Sequence, residues 1–455
     1  MAAPQDSMSD WQAVVIGGGA AGLLAAIRAA ERGRKTLLIE KNKRPGVKIL
    51  MSGGTRCNLT HACDARGIVE AFGAQGKFLH SALAGLGPRD LVELVEAEGV
   101  PTKTESTGKI FPVSDRAADV LSALLRRLER SGCVLTAGEV VRSIVLEVES
   151  QREAEPRAQC VPRQSLGTSG ARFRIVTERR VLAAESVVIT TGGCSYPGSG
   201  TTGDGYAWAA GLGHTIVPPR PALVPVTTDA AWVHALKGLT VPDVFVAVRP
   251  RPDAARTLSA RPEAGQPPPA DILAQRRGSF LFTHFGLSGP AVLDVSQAIT
   301  CRADPAPLDL VCDFLPSISE HSLEEQLRKS ALSAGGKPVT AILPGQLPRR
   351  LIEALLKLAD VPPDLRAAEL GKAVRGRVTQ AIKACRIAVA GTLGLKKAEV
   401  TAGGVALEEV DSRTMQSRLV PNLYLAGEIL DLDGPIGGYN FQAAFSTGWL
   451  AGGCL

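Results

Sequence analysis

Residues 12–40 read QAVVIGGGAAGLLAAIRAAERGRKTLLIE. The apolar run Ala13–Ile16 predicts a strand that feeds directly into Gly17-Gly18-Gly19-Ala20-Ala21-Gly22. Leu23–Glu31 reads as a helix stopped at Gly33, Thr36–Ile39 as a second strand, and Glu40 closes the unit. Each part has a task in holding a dinucleotide. Gly17 permits the tight turn, Gly19 lets backbone approach a pyrophosphate, and Gly22 lets helix and strand pack closely. Ala20 and Ala21 start the helix, whose amide groups and positive dipole end suit phosphate. Glu40 stands 18 positions after Gly22. It can accept hydrogen bonds from a ribose, which argues against a 2′-phosphate; Lys41 follows it on the adenosine and pyrophosphate side. A secretory leader is the competing reading of Ala13–Ile27. No basic stretch precedes it, and three adjacent glycines would interrupt a hydrophobic helix.

The 455 residues suffice for two or three domains. At 45% hydrophobic and 21% charged the composition is that of a globular protein. No apolar stretch reaches the ~20 residues of a membrane span, so no membrane partner is expected. The net charge of +6 reads as too slight and too dispersed to argue for nucleic acid, and pairs such as Arg126-Arg127, Arg179-Arg180 and Arg276-Arg277 read as solvated faces. Nine scattered cysteines include no CxxC pair and no Cys/His cluster with metal spacing. No metal is expected, and a reducing, cytoplasmic setting fits.

Along the chain, residues 1–10 read as a frayed polar lead and Ser114–Arg130 as a helix capped by Ser114 or Asp115, with Val120, Leu121, Leu124, Leu125 and Leu128 on one face. Cys133–Thr136, Val140–Leu146 and Phe173–Thr177 read as a small meander, with a long loop at 147–171. Ser186–Thr191 is a buried strand ending in Thr191-Gly192-Gly193. From 216 the pattern changes to antiparallel strands (Val244–Val248, Ser279–Phe282) with a Pro-rich loop at 251–271, then helices over Leu323–Leu332, Pro348–Leu358 and Ala367–Lys383, then a strand at Arg386–Gly391. A last helix covers about Gln442–Leu450. There is no internal repeat and no second GxGxxG after a strand, so one dinucleotide site is expected.

Three features favour FAD over a nicotinamide cofactor. The glycine-rich start is followed by a meander, a strand ending in Thr-Gly, and far downstream a strand ending in Ala426-Gly427-Glu428. Glu428, beside a glycine at a strand tip, can bind ribityl hydroxyls. Gly437-Gly438-Tyr439-Asn440-Phe441-Gln442 opens the last helix, and its amides can face the edge of a reduced flavin that gathers negative charge.

The chain resembles the BaiN-like, aminoacetone-oxidase-like family of FAD-binding flavoproteins, related to the glutathione-reductase-type fold. The resemblance rests on GGGAAGLLAA (Gly17–Ala26), KILMSGGTRCNLT (Lys48–Thr60), GKIFPVSDRAADV (Gly108–Val120), Thr191–His214, RPALVPV (Arg220–Val226), LFTHFGLSGPAVL (Leu281–Leu293), VTAGGVALEEV (Val400–Val410) and Leu423–Gly448. Thr55 stands where the family usually has a third glycine, and His61 where it usually has Asn. The resemblance implies an α/β architecture: a Rossmann-like FAD-binding domain from 1–215 and 396–455, with a β-barrel and helical domain inserted at 216–395 and the flavin ring at their interface.

On this reading the flavin side is formed by Lys48, Ser52, Gly53, Gly54, Arg56, Cys57 and Asn58, with Thr191, Gly192 and Gly193 under the adenine side. Gly427, Glu428, Gly438, Tyr439, Asn440 and Phe441 contact the flavin. Lys48 or Arg56 could polarise the flavin or hold an anionic substrate. Cys57 reads as a packing residue before a redox thiol, His61 as a remote candidate for covalent attachment, and Asp204 as a helix cap. His284 is a candidate acid or base, with Tyr196 and Tyr439 as further proton donors. The expected activity is an FAD-dependent oxidoreductase acting on a small-molecule substrate, with NAD(P)H bound transiently if it is used. Similar proteins point two ways, to amine oxidation with O₂ or to reduction of a C=C bond in a steroid-like acid. The rival is a low-turnover flavin-binding regulatory protein whose basic stretch Arg349–Arg386 meets RNA.

Overall fold

The computed structural model describes residues 9–148, 171–251, 272–304 and 307–455. The loops expected at 147–171 and 251–271 lie outside these apart from their end residues. Two compact units form: Met1–Pro219 with Val400–Leu455, and Arg220–Glu399.

In the first unit β1 (Ser9–Ile16), α1 (Ala20–Glu31) and β2 (Thr36–Glu40) form the strand–turn–helix–strand start. β1 and β2 run parallel, Ala13 opposite Thr36 and Ile16 opposite Ile39. β1 begins earlier than the sequence suggests, because Ser9–Trp11 pairs with Leu182–Ala184. The supposed meander is part of the same sheet. Val181–Ile189 runs parallel to β1 on one edge. On its other edge the first half pairs antiparallel with Ala171–Thr177 and the second half parallel with Leu423–Leu425. This shared strand joins the downstream Ala-Gly-Glu motif to the glycine-rich start.

The helix after Asp115 spans Ala117–Arg130 and buries Val120, Leu121, Leu124 and Leu128. Neither Ser114 nor Asp115 caps it. Asp115 is left-handed (φ 53°) and its carboxylate accepts from Lys103 at 2.5 Å instead. The arginine pairs are likewise not all solvated faces. Arg180 donates to Glu139 at 2.8 and 3.0 Å, and that carboxylate side chain is 1% exposed. Arg276 pairs with the well-buried Asp294 at 2.8 Å.

The last helix, Tyr439–Gly453, lies against α1. A Cβ on Gly448 would stand 2.1 Å from the Ala21 carbonyl oxygen, and one on Gly452 2.2 Å from that of Ala25. Glycines four apart on one helix and alanines four apart on the other let two backbones touch.

The second unit is built on seven antiparallel strands among the described residues, in the order Cys385–Ala388, Leu308–Asp313, Thr240–Pro250, Ala274–Phe282, Gly286–Ser288, Val226–Thr227, Gly391–Thr392. The first and last of these are consecutive in the chain. Val389 N–H donates to Leu308 O (3.0 Å) and Ala390 N–H to Thr227 O (2.9 Å), so one bent segment closes the sheet into a barrel. Helices Glu320–Ser333, Arg349–Leu358 and Lys372–Lys383 complete the unit's own core. The segment expected to be helical from Ala367 is a short 3₁₀ turn, Ala367–Glu369, before that last helix. Where the insertion begins and ends, Glu399 N–H donates to Leu223 O at 3.2 Å. Among the described residues no helix is long and apolar enough to cross a membrane, and no group of three or more His, Cys, Asp or Glu is placed to hold a metal.

Candidate active site

The glycine-rich loop closes on the sheet through close contacts. Gly17 is left-handed (φ +106°), and a Cβ there would stand 2.6 Å from Thr190 O. A Cβ on Gly22 would stand 1.8 Å from Gly17 O. Thr190 Oγ1 donates to Ile16 O and Gly17 O, stitching the loop to the neighbouring strand end. Gly19, by contrast, faces open space: nothing lies within 4 Å of where its Cβ would be. It is the N-cap of the 12-residue α1, with no side-chain cap and no acid in the first turn. An open cradle at an uncapped helix N-terminus fits a pyrophosphate.

Glu40 is buried beside this loop. Its carboxylate accepts Gly18 N–H and Asn42 N–H, both at 2.7 Å. Burial pushes its pKa above the ordinary carboxylate value despite these bonds. Lys41 reaches across to Asp204 at 2.5 Å and to Thr202. Asp204 therefore does not cap the helix Asp204–Gly211, whose N-cap is Gly203.

Residues far apart in sequence meet at Glu428. Lys48 Nζ donates to Glu428 Oε2 (2.6 Å) and to Ser195 Oγ (2.7 Å). Ser195 Oγ and Thr401 N–H donate to Glu428 Oε1, each at 2.8 Å. Thr401 Oγ1 in turn accepts Cys194 N–H and Ser195 N–H. A Cβ on Gly193 would press on Thr401 Oγ1 at 2.4 Å, and one on Gly427 would stand 2.8 Å from Ala21 Cβ. Ser195 and Thr401 were not anticipated from sequence. Glu428 recruits them from 233 and 27 residues away, and no local signal marks either. Among the described residues Thr191 Oγ1 is buried without a hydrogen-bond partner, and Gly192 is left-handed (φ 72°).

The segment Val47–Thr55 starts as a helix and leaves helical geometry at Ser52. Gly53, Gly54 and Thr55 are all left-handed (φ 56°, 69° and 70°), as is Cys57 (φ 63°). Ser52 Oγ donates to Ile49 O. Cys57 is fully buried, and desolvation pushes its thiol up to about 12, so its side chain is packing. Arg56 lies 4.0 Å over the Phe111 ring and pairs with Glu105 (2.6 Å) and Asp115 (3.5 Å). Its charge is thus already countered by two carboxylates, whereas Lys48 is tied to the Glu428 cluster.

This loop docks on the start of the last helix. The Asn58 amide accepts Gly438 N–H at 2.9 Å and donates to Thr60 O at 3.1 Å. That bond removes the Gly438 amide from the set expected to face a flavin. A Cβ on Gly438 would stand 2.6 Å from the Thr60 carbonyl group. His61 stacks on Tyr439 (4.7 Å, 20° between planes), and its Nδ1 lies 3.2 Å from Gly437 O. Asn440 is spent on a loop clip, with both its amide atoms bonded to Gly434 backbone at 2.8 Å. Phe441 packs on Phe445. His284 belongs to the other unit, exposed and edge-on to Phe285.

Residues 11–454 match the model of the HI0933-like protein Rossmann domain family. The chain is 32% identical to a ribosomal RNA dihydrouridine synthase of Escherichia coli over 97% of each chain. It is 30% identical to a 3-dehydro-bile acid delta(4,6)-reductase of Clostridium scindens, over 96% of this chain and 97% of that one. Among solved structures, a 3-ketosteroid-delta4-(5alpha)-dehydrogenase from Rhodococcus jostii covers 98% of both chains at 14% identity, with a TM-score of 0.46.

Proposed function

The chain belongs to the HI0933-like Rossmann-domain family, and from that premise we propose that this FAD-dependent oxidoreductase saturates a C=C bond conjugated to a carbonyl, with uridine in ribosomal RNA as its acceptor. One observation carries the reading. Relatives matched over nearly their whole length are named for different substrates but for one bond change. Dihydrouridine is uridine with the C=C bond beside its carbonyl reduced. A delta(4) bond in a 3-dehydro steroid acid likewise lies beside a ketone.

The residues present suit the cofactor. Gly17, Gly19, Ala20, Ala21 and Gly22 would hold its pyrophosphate, and Glu40 its ribose. Glu428, fixed by Lys48, Ser195 and Thr401, would bind the ribityl chain, and Gly53, Gly54 and the helix start at Gly438 and Tyr439 would border the ring. When bound, FAD supplies two-electron redox chemistry. Across the whole reaction the double bond gains two hydrogens and NADH or NADPH is oxidised. The protein must also deliver a proton to the carbon beside the carbonyl. Tyr439 Oη is the group we assign to that task.

The test is anaerobic. FAD-loaded protein is mixed with NADH or NADPH and either a ribosomal RNA transcript or a 3-oxo-4-ene steroid acid. The expected result is bleaching of the flavin band, its recovery on adding the acceptor, and a product heavier by two hydrogens. Steady oxygen uptake with primary amines, with neither acceptor reduced, would overturn the reading.

A further inference from the structure

The net charge of +6 is not spread over the molecule. Arg220–Glu399 holds 23 Lys and Arg against 17 Asp and Glu, while the 28 basic and 28 acidic residues of the rest cancel. Inside that unit, residues 370–398 carry seven basic side chains and no acidic one.

The cations of this run differ in how they are held. Lys383 pairs with Asp313 (2.7 Å) and Arg386 with Asp309 (3.2 Å), so their charge is balanced. Arg375 instead donates to Leu370 O (2.6 Å), and Arg377 to Ala359 O (2.8 Å) and Asp360 O (3.3 Å). Carbonyl partners fix a guanidinium in place without cancelling its charge. Helix Lys372–Lys383 buries Val378, Thr379 and Ile382. It leaves Lys372, Ala373, Gly376, Arg377 and Gln380 exposed. A Cβ on Gly376 would meet nothing within 4 Å. The result is an exposed face on which the cations Lys372 and Arg377 are separated by the small residues Ala373 and Gly376. It lacks the bulky apolar side chains that seat a helix in a bilayer.

We propose that this face, with Lys372 and Arg377 on either side of Gly376, docks the sugar–phosphate backbone of RNA. The inference rests on the RNA reading of the function and assigns the binding to the inserted unit. Phosphate contacts of this kind give affinity and position without reading bases.

The test uses FAD-loaded full-length protein and a fluorescent transcript of ribosomal RNA. Gly376→Glu places an opposing charge where space is open, and Gly376→Ala is its control. The control should bind as the parent does. Gly376→Glu should bind about tenfold more weakly at low salt, and Lys372→Gln should lower the salt slope by about 0.7–0.9. Both variants should keep the parent's rate on a small 3-oxo-4-ene steroid acid and the parent's flavin spectrum. Equal RNA binding by Gly376→Glu and Gly376→Ala would overturn the proposal, even if the parent reduces uridine in RNA. So would binding to phosphatidylserine vesicles as tight as to RNA. Selective loss of RNA binding, with no uridine reduced by any form, would leave the docking face standing and overturn the proposed function instead.

Discussion

Thr55 occupies a backbone position suited to glycine. Its φ of 70° follows two left-handed glycines, and its side chain is exposed. A left-handed L-residue costs roughly 1–2 kcal/mol, and the entropy of an added glycine offsets part of it. Thr55→Gly is therefore expected to raise stability by about 1 kcal/mol, read as a higher urea midpoint; an unchanged or lower midpoint would refute the strain. The sequence marked this place, because Ser-Gly-Gly is an evident turn. Residue type alone does not show that Thr55 continues the turn, since threonine ordinarily avoids it; the family's usual third glycine at this place does. Asp115 and Asp204 mislead for a related reason. Each has the right type and place for a helix cap, but a lysine brought in by the fold claims the carboxylate. Local propensity cannot anticipate a partner 163 residues away. His214 looks like part of a hydrolytic triad, between Glu409 (3.0 Å) and Ser417 (2.8 Å). Ser417 Oγ already accepts Leu419 and Val420 N–H, and His214 and Ser417 are both buried, so the group is a structural clip.

At the level of elements, the glycine-rich start was legible almost to the residue, because turn, periodicity and acid all coincide there. The last helix was placed but cut short. Its buried side carries the polar Gln442, Ser446 and Thr447 among apolar residues, so no amphipathic edge marks its ends. Its packing went unread as well. Gly448 and Gly452 resemble weak helix residues until α1 is laid against them. Gly452→Val should cost roughly 3 kcal/mol or more by overpacking, and should release bound FAD because α1 also presents the Gly19 cradle. A melting temperature within a degree or two of the parent would contradict that packing. The Glu139–Arg180–Thr177 cluster gives a prediction about acid. Burial pushes the Glu139 carboxyl up, but the bonds from Arg180 and Thr177 hold it below its ordinary value of 4.5. A folded value below the unfolded one stabilises fully above pH 4.5 and fades as pH falls further. The stability gap between parent and Glu139→Gln, measured by urea titration, should shrink steadily below that pH. A gap independent of pH would show that the carboxylate charge does not contribute.

For the whole molecule, the two units carry separate hydrophobic cores. The residues assigned to FAD all fall in the unit Met1–Pro219 with Val400–Leu455. Ligand binding stabilises what it binds, by about 2.7 kcal/mol at a hundredfold excess over Kd. Adding FAD should therefore slow hydrogen exchange most at residues 13–22, 36–60 and 423–441. Protection confined to Arg220–Glu399 would place the cofactor elsewhere. Read from composition, the net charge is too slight and too dispersed to argue for nucleic acid. Only the division into units shows that it has one owner.

The hydrogen bond from Glu399 to Leu223 has a wider meaning. The inserted stretch departs and returns at neighbouring points, and its barrel is sealed by its own chain. Such a piece is a cassette in topology: its chain leaves and re-enters the host at one place, so excising it would not rethread the rest.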